Sequence, residues 1–412
     1  MSAKQWKRLD VVERVERFEL SMSQAAQVMG LSKRQVRRLR RKVKAQGRKA
    51  VQHGNRGRRP SNRIADAVRK RVVMLATTKY AGFNDTHLTE KLSEEEGIEV
   101  SRVTVRRLLR AAGVGAARKH RAPKYRRRRE RKAQAGMMML WDGSRHDWLE
   151  GRGPILCLMG AIEDATGELL PGAHFLPQES AAGYLRVLKG IAEEKGLPWS
   201  VYQDRHSALH RNDDHWTLAE ELRGTQDPTQ VGRALQELGV EEIFALSPQA
   251  KGRVERHWGT AQDRLTSELR LAGASTAEEA NAVLEVYRPR FNQRFAKPAR
   301  DATPAWRPVR AATDLARVCS LRYSATVGND NAVRLAGKVF DIPPGPRRRS
   351  YAKARVEVCQ LLDGSWRIYL GDDLLLATAA NEQPQELRAQ PRRKRSAAAR
   401  AFRKAVKSLR SA

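Results

Sequence analysis

Residues 137–176, "MMMLWDGSRHDWLEGRGPILCLMGAIEDATGELLPGAHFL", decide how this chain is read. Three apolar runs stand out: "MMMLWD" (137–142), "PILCLMGAIED" (154–164) and "ELLPGAHFL" (168–176). Short runs bounded by Gly, Asp and Pro read as consecutive buried strands. Downstream the texture alternates. "SAAGYLRVLKGIAEEKG" (180–196) is a helix and "WSVYQD" (199–204) a strand; "QVGRALQEL" (230–238) is a helix and "VEEIFAL" (240–246) a strand. "GRVERHWGTAQDRLTSELRL" (252–271) is a long helix with the apolar stripe Val254, Trp258, Ala261, Leu265 and Leu269. Strands first, then alternating helices and strands, predict a mixed α/β sheet. "STAEEANAVLEVYRPRFNQRF" (275–295) adds a helix, opened by a Ser275–Glu278 capping box. The core is predicted over 137–299, with a connector over 300–317. The turn signals "VGND" (327–330), "LDGS" (362–365) and "LGDD" (370–373) predict a small β-barrel over 318–379. A basic, disordered tail is expected over 380–412.

Working toward the start of the chain, residues 10–46 read as three helices. Val11, Val12, Val15 and Phe18 lie at helical spacing. Ala26, Gly30, Val36 and Leu39 fit a helix-turn-helix over 1–46. A small residue lets two helices approach, a glycine makes the turn, and two apolar residues fill the shared core. Ser32 and Gln35 form a capping box for the second helix of the motif, which presents Lys33, Arg34, Arg37, Arg38 and Arg41 to DNA. Residues 47–62 are a basic linker, in which Arg56, Arg58 and Arg59 of "RGRRP" resemble a minor-groove arm. A second three-helix unit is predicted over 63–114. There Val103, Leu108 and Leu109 are expected to face inward and Arg102, Arg106, Arg107 and Arg110 outward. Residues 115–136 are a further basic linker. Its run Arg126, Arg127, Arg128 and Arg129 is suited to tracking phosphates.

The charge distribution agrees with that order. The 412-residue chain carries a net +33. Residues 1–136 hold 38 Lys/Arg against 12 Asp/Glu, 137–386 hold 31 against 34, and 387–412 hold 10 against none. A near-neutral middle between two basic arms points to a polyanion partner, foremost nucleic acid. The three cysteines, Cys157, Cys319 and Cys359, form no CxxC pair or zinc-spaced cluster. "MSAKQWKRLD" (1–10) lacks a secretory apolar segment, and no apolar run approaches a membrane span. A soluble cytoplasmic protein in a reducing compartment, without membrane partners, is expected.

Among 46 acids, position is the guide. Asp142 ends one apolar strand and Asp204 another, while Glu255 lies in the first turn of the long helix, beside its apolar stripe. A mixed sheet can gather such carboxylates on one rim. Asp147, past a Gly–Ser turn, and Asp164, at a hairpin turn, compete for the first position. His146, His206 and His257 could serve as ligands, but each reads first as a group that orients a neighbour or lies on the surface. A carboxylate cluster suits metal-dependent phosphoryl transfer, in which two divalent ions activate the attacking oxygen and stabilise the leaving one.

"WDGSRHDWLEGRGP" (141–154), "IEDATGELL" (162–170), "YQDRHS" (202–207) and "SPQAKGRVERHWGTAQDRL" (247–265) together resemble the integrase catalytic core of bacterial insertion-sequence transposases, most closely the ISNCY group. The likeness extends over nearly the whole chain. It implies a ribonuclease-H-like fold and a D,D,E triad, mapped here onto Asp142, Asp204 and Glu255. It implies two Mg²⁺ or Mn²⁺ ions held by those three residues. It implies binding of double-stranded DNA at terminal inverted repeats, strand cleavage, and attack of the freed 3′-OH on target DNA by a homo-oligomer, at least a dimer, at the bacterial nucleoid. Lys251, Arg253 and Arg256, around Glu255, are then DNA contacts. Two departures from retroviral integrases stand out: a polar insertion over 211–228 and the lack of a zinc-binding N-terminal module. The competing possibilities are a non-catalytic repressor derived from a transposase and a nuclease that cuts branched DNA without joining it.

Overall fold

The structure, a computed structural model, describes residues 1–52, 63–116, 129–211, 216–245, 252–380, 384 and 386–387. Arg56, Arg58, Arg59, Arg126, Arg127, Arg128, Lys251 and most of the basic tail lie outside the described residues. The chain divides into two units, Met1–Arg71 and Val72–Ala412.

In the first unit α1 (Ala3–Glu16), α2 (Met22–Met29) and α3 (Lys33–Gln46) are each opened by a Ser/Gln capping box. In each, the serine accepts the amide three residues on, and the glutamine side chain accepts the serine amide. Gly30 closes α2 at φ 64°, a left-handed turn that glycine makes without a Cβ penalty. Val11, Val15, Ala25 and Val36 form the small core. Phe18 departs from expectation. It sits past the end of α1 at φ 62° and is 92% exposed, so helical spacing stops one turn earlier than its apolar pattern suggested. Ala25, rather than Ala26, is the fully buried contact. Residues 47–51, expected to be linker, form a 3-10 turn that buries Val51.

The division between the units falls within α4 (Asp66–Thr77). α5 (Asp85–Glu94) and α6 (Arg102–Ala111) follow. Ser101 caps α6, which turns Val105, Leu108 and Leu109 inward. Val103 is 67% exposed, against expectation, because the cap sets the buried face one residue pair later.

The core sheet has the order β3-β2-β1-β4-β5. Its strands are β1 (Met138–His146), β2 (Leu156–Glu163), β3 (His174–Leu176), β4 (Ser200–Gln203) and β5 (Glu241–Phe244). β1, β2 and β3 pair antiparallel, while β1, β4 and β5 run parallel. Side chains alternate between two cores. Met139, Trp141, Cys157, Met159 and Val201 face α7 (Ala181–Glu194) and, beyond the short α8 (Leu218–Arg223), α9 (Gln230–Glu237). Met138, Leu140, Leu158 and Ile162 face α10 (Gly252–Leu271) and α11 (Ala277–Phe295). Burial on both sides explains why β1 and β2 read as continuous apolar runs. A fully buried side chain of this kind contributes about 1.5–3 kcal/mol. The predicted α10 stripe is buried in full, Trp258 over Gly160 of β2. α11 is capped by Thr276 with Glu279, one residue later than the Ser275–Glu278 pairing expected.

α5 is seated on α10 and α11 by ions. Glu268 takes His87 at 2.7 Å and Lys91 at 2.9 Å. Glu90 takes Arg264 at 2.7 Å and Arg294 at 2.6 Å. His87, Lys91 and Arg264 are buried, so the Lys91 and Arg264 charges depend on their partners.

Beyond α12 (Leu315–Val318) come β6 (Leu321–Thr326), β7 (Ala332–Leu335), β8 (Lys338–Asp341), β9 (Arg355–Gln360), β10 (Trp366–Leu370) and β11 (Asp373–Ala377). The expected small β-barrel is an open sheet, β11-β10-β9-β6, with a separate β7–β8 hairpin. Val333 and Phe340 of the hairpin share a core with Val356, Val358, Trp366 and Ile368 of the sheet. The hairpin covers the apolar face that closure would otherwise have to bury. Asn331 fixes its base, donating to the Ile342 carbonyl at 2.6 Å and accepting from the Tyr351 amide at 2.7 Å.

Candidate active site

The pairing register sets the two aspartates side by side. Met138, Met139 and Leu140 of β1 lie opposite Ser200, Val201 and Tyr202 of β4. The same offset carried two residues on brings Asp142 level with Asp204, the first residue past β4. Alternation gives Asp142 the same face as Met138 and Leu140, the face that α10 covers. On the opposite face the Trp141 indole donates to Gln203 at 2.7 Å, and Gln203 donates to Glu242 at 2.7 Å. These bonds tie β1, β4 and β5 together beneath the carboxylates.

α10 is fastened beside β1 at two places. Near its start Arg253 bonds Asp164 and the Arg129 carbonyl. Asp164 in turn donates its amide to Met138, at the beginning of β1. Further along, Gln262 donates to Ser144 at 3.2 Å, near the far end of β1. The helix therefore runs alongside the strand, and Glu255 falls between the two fastenings, on the same side of α10 as Gln262 seven residues later. Its side chain is exposed, not half-sheltered beside the stripe as the sequence implied. Among the described residues no three His, Cys, Asp or Glu side chains close into a group that could hold a metal ion.

The competing aspartates have other work. Asp147 is exposed and accepts the Gly151 amide at 3.1 Å, a turn contact. Asp164 is buried. Burial opposes its charge, but Arg129 at 2.6 Å, the Lys132 amide at 2.7 Å and Arg253 outweigh it, so its pKa is lowered. Arg129 and Arg253, expected to contact DNA, are thus tied to this carboxylate. Arg256 is exposed, as are Lys33, Arg34, Arg37, Arg38 and Arg41 on α3 and Arg102, Arg106 and Arg107 on α6. Arg110 is half-buried and bonds Asp85 at 2.7 Å. His257 packs against Phe291 at 4.8 Å between ring centres, and burial lowers its pKa to about 4.

One neighbour had not been anticipated. Glu179, just before the Ser180 cap of α7, reaches back over the middle of β1 at Gly143. It accepts the Tyr184 hydroxyl at 2.5 Å and lies 3.4 Å from His206 Nδ1. The His206 amide donates to Asp204 at 3.0 Å. Tyr184 is buried; burial, then the charges of Glu179, Asp142 and Asp204, raise its pKa well above the ordinary value. Three carboxylates therefore bear on one hydroxyl. The only signal in the sequence was an acid immediately before a helix cap, in "PQES" (177–180).

Comparison with known proteins follows the same lines. A winged helix-turn-helix family model matches residues 17–70. "Putative transposase y4bF" of Sinorhizobium fredii (strain NBRC 101917 / NGR234) is 38% identical over 317 residues, 77% of this chain and 68% of the relative. The transposase for insertion sequence IS1202 of Streptococcus pneumoniae is 31% identical over 322 residues, 69% of this chain and 67% of the relative. Among solved structures, a simian T-cell lymphotropic virus intasome in complex with PP2A regulatory subunit B56 gamma aligns over 75% of this chain and 100% of its own. Its identity is 12% and its TM-score 0.31, too slight a likeness to bear on the site. The two relatives share about a third of their residues with this chain over most of its length, and the chain belongs to their family, the transposases.

Proposed function

We propose that Asp142, Asp204 and Glu255 are the ligands of divalent metal, two Mg²⁺ or Mn²⁺ ions, in a site that cuts DNA strands at the ends of a mobile element and joins them to target DNA. The parallel register of β1 and β4 carries this proposal, because it places Asp142 level with Asp204 under the helix that bears Glu255. An all-carboxylate donor set fits these hard cations, which take oxygen ligands and keep several waters. Such ions, when bound, would activate the attacking oxygen and stabilise the leaving one. The aspartates sit on a sheet braced from below by Trp141, Gln203 and Glu242, so they offer a fixed edge. Glu255, exposed at the start of α10, supplies the adjustable third ligand. Arg256 beside it, α3 and α6 offer exposed cations to phosphates, and these would position the duplex with a strongly salt-dependent affinity. In this reading the incoming oxygen comes from water and then from the freed 3′-OH. Pairing two element ends requires at least a dimer.

Cleavage and joining of DNA carrying the element's inverted repeats, with Mg²⁺, tests this. Wild type is expected to cut and join. Glu255→Gln and Asp142→Asn are expected to bind the same DNA and lose cleavage by at least about 100-fold, the scale on which transition-state charge stabilisation is lost. A Glu255→Gln protein that cuts normally removes Glu255 from the site. Binding without cutting by wild type as well favours a non-catalytic repressor.

A further inference from the structure

Glu179 comes from a part of the chain none of the recognised motifs includes, yet it touches three elements of the site. One oxygen takes the Tyr184 hydroxyl at 2.5 Å and stands 3.4 Å from His206. The other lies 2.6 Å from where a Cβ on residue 143 would be, and Cys157 Sγ lies 3.1 Å from the same point. Only glycine fits after Asp142 while this carboxylate is in place. His206 is held in turn, accepting the Ala208 amide at 3.3 Å on the nitrogen that faces Glu179, and its own amide caps Asp204. Tyr184 is fixed by burial and by Trp141, 5.1 Å away between ring centres. The chain of contacts runs from the core of α7 through Tyr184 and Glu179 to both aspartate-bearing segments.

We infer that Glu179, with Tyr184, is a positioning residue for the metal site: it presses the Asp204–His206 loop and the Asp142–Gly143 segment in the middle of β1 into one arrangement. The inference rests on the assignment of Asp142 and Asp204 as metal ligands. Glu179 acts through its neighbours: one oxygen is taken by the Tyr184 hydroxyl beside His206, and the other lies against Gly143. Groups that orient metal ligands without touching the metal commonly change metal affinity or activity 10- to 100-fold when removed.

The test uses the full chain and Mn²⁺ as the probe. Free Mn²⁺ is followed by electron paramagnetic resonance during titration, and end cleavage and the thermal midpoint are measured on the same proteins. Glu179→Gln and Tyr184→Phe are each expected to raise the half-saturating Mn²⁺ concentration about 10-fold and to slow cleavage about 10- to 100-fold. DNA-end binding and thermal midpoint should stay at wild-type values. The double variant should be no worse than the weaker single, because both changes break one chain of contacts. Wild-type Mn²⁺ affinity in both single variants overturns the inference, as does a loss of affinity that appears only together with a lowered thermal midpoint. Should wild type and Asp142→Asn bind Mn²⁺ equally poorly, the metal assignment itself fails and takes this inference with it.

Discussion

The two helical regions ahead of the sheet are built alike and charged differently. Residues 1–52 hold 15 Lys/Arg against 4 Asp/Glu, whereas 63–116 hold 10 against 7. In the first, α3 exposes seven cations along one helix, Lys33, Arg34, Arg37, Arg38, Arg41, Lys42 and Lys44, and the ion pairs Arg40–Glu16 and Arg14–Glu19 lie at the surface. In the second, His87 and Lys91 of α5 meet Glu268 of α10, and Glu90 of α5 meets Arg264 of α10 and Arg294 of α11, with His87, Lys91 and Arg264 buried. The first region keeps its charge for a partner outside the chain. The second spends much of its charge on the chain itself, leaving Arg102, Arg106 and Arg107 for other contacts.

The largest test of that contrast is Glu268→Ala. It leaves buried Lys91 with Glu95 alone and takes away the partner of the buried His87 ring, and about 1–3 kcal/mol of stability should be lost, read by denaturant unfolding of the full chain. A loss below about 1 kcal/mol would mean the ionic seat is decoration. Next, Arg37→Ala with Arg38→Ala on α3 should leave stability within about 0.5 kcal/mol of wild type. The same pair should flatten the salt dependence of DNA binding by roughly two units of slope, if each arginine meets one phosphate. An unchanged slope would take α3 off the DNA. The smallest effect concerns acid. Glu268 and Glu95 are opposed by burial, but bonds to His87 and Lys91, and to Lys91 and Tyr80, lower their pKa values, that of Glu95 to about 2. A carboxylate with a lowered folded pKa adds stability that is complete above its ordinary value of about 4.5 and drains as pH falls toward the folded one. Hydrogen exchange should therefore show α5 amides loosening between pH 4.5 and 2 ahead of those in α2. Simultaneous loosening would erase the distinction between the two regions.

What could be read without coordinates was whatever repeats locally. The α10 stripe, the capping boxes of α1 to α3 and the end of β4 just before Asp204 each leave a periodic or short-range mark, whereas Asp142, read as a strand end, lies in mid-strand because β1 goes on pairing with β2 as far as His146. Phe18 and Val103 misled because an apolar residue at helical spacing says nothing about where the cap begins or ends the helix. The Asp164–Arg129–Arg253 cluster joins residues 35 and 89 positions apart, and Glu179 meets Tyr184, Gly143 and His206 from three directions. Contacts of that reach leave no trace in spacing. The open C-terminal sheet was hidden for a related reason: turn signals count strands, but whether the edges meet depends on the hairpin that lies across the face.

α10 imposes a condition on length as well as on residue type. Glu255 lies near its start, and Asp263, Arg264 and Glu268, which face α5, lie further along the same unbroken helix. One residue inserted between Glu255 and Asp263 would turn the two ends by about 100° and part them by about 1.5 Å. No substitution elsewhere in the helix undoes such a rotation. Variation in this family can therefore exchange side chains along the segment, but insertions and deletions must collect outside it, in stretches such as the polar one over 211–228.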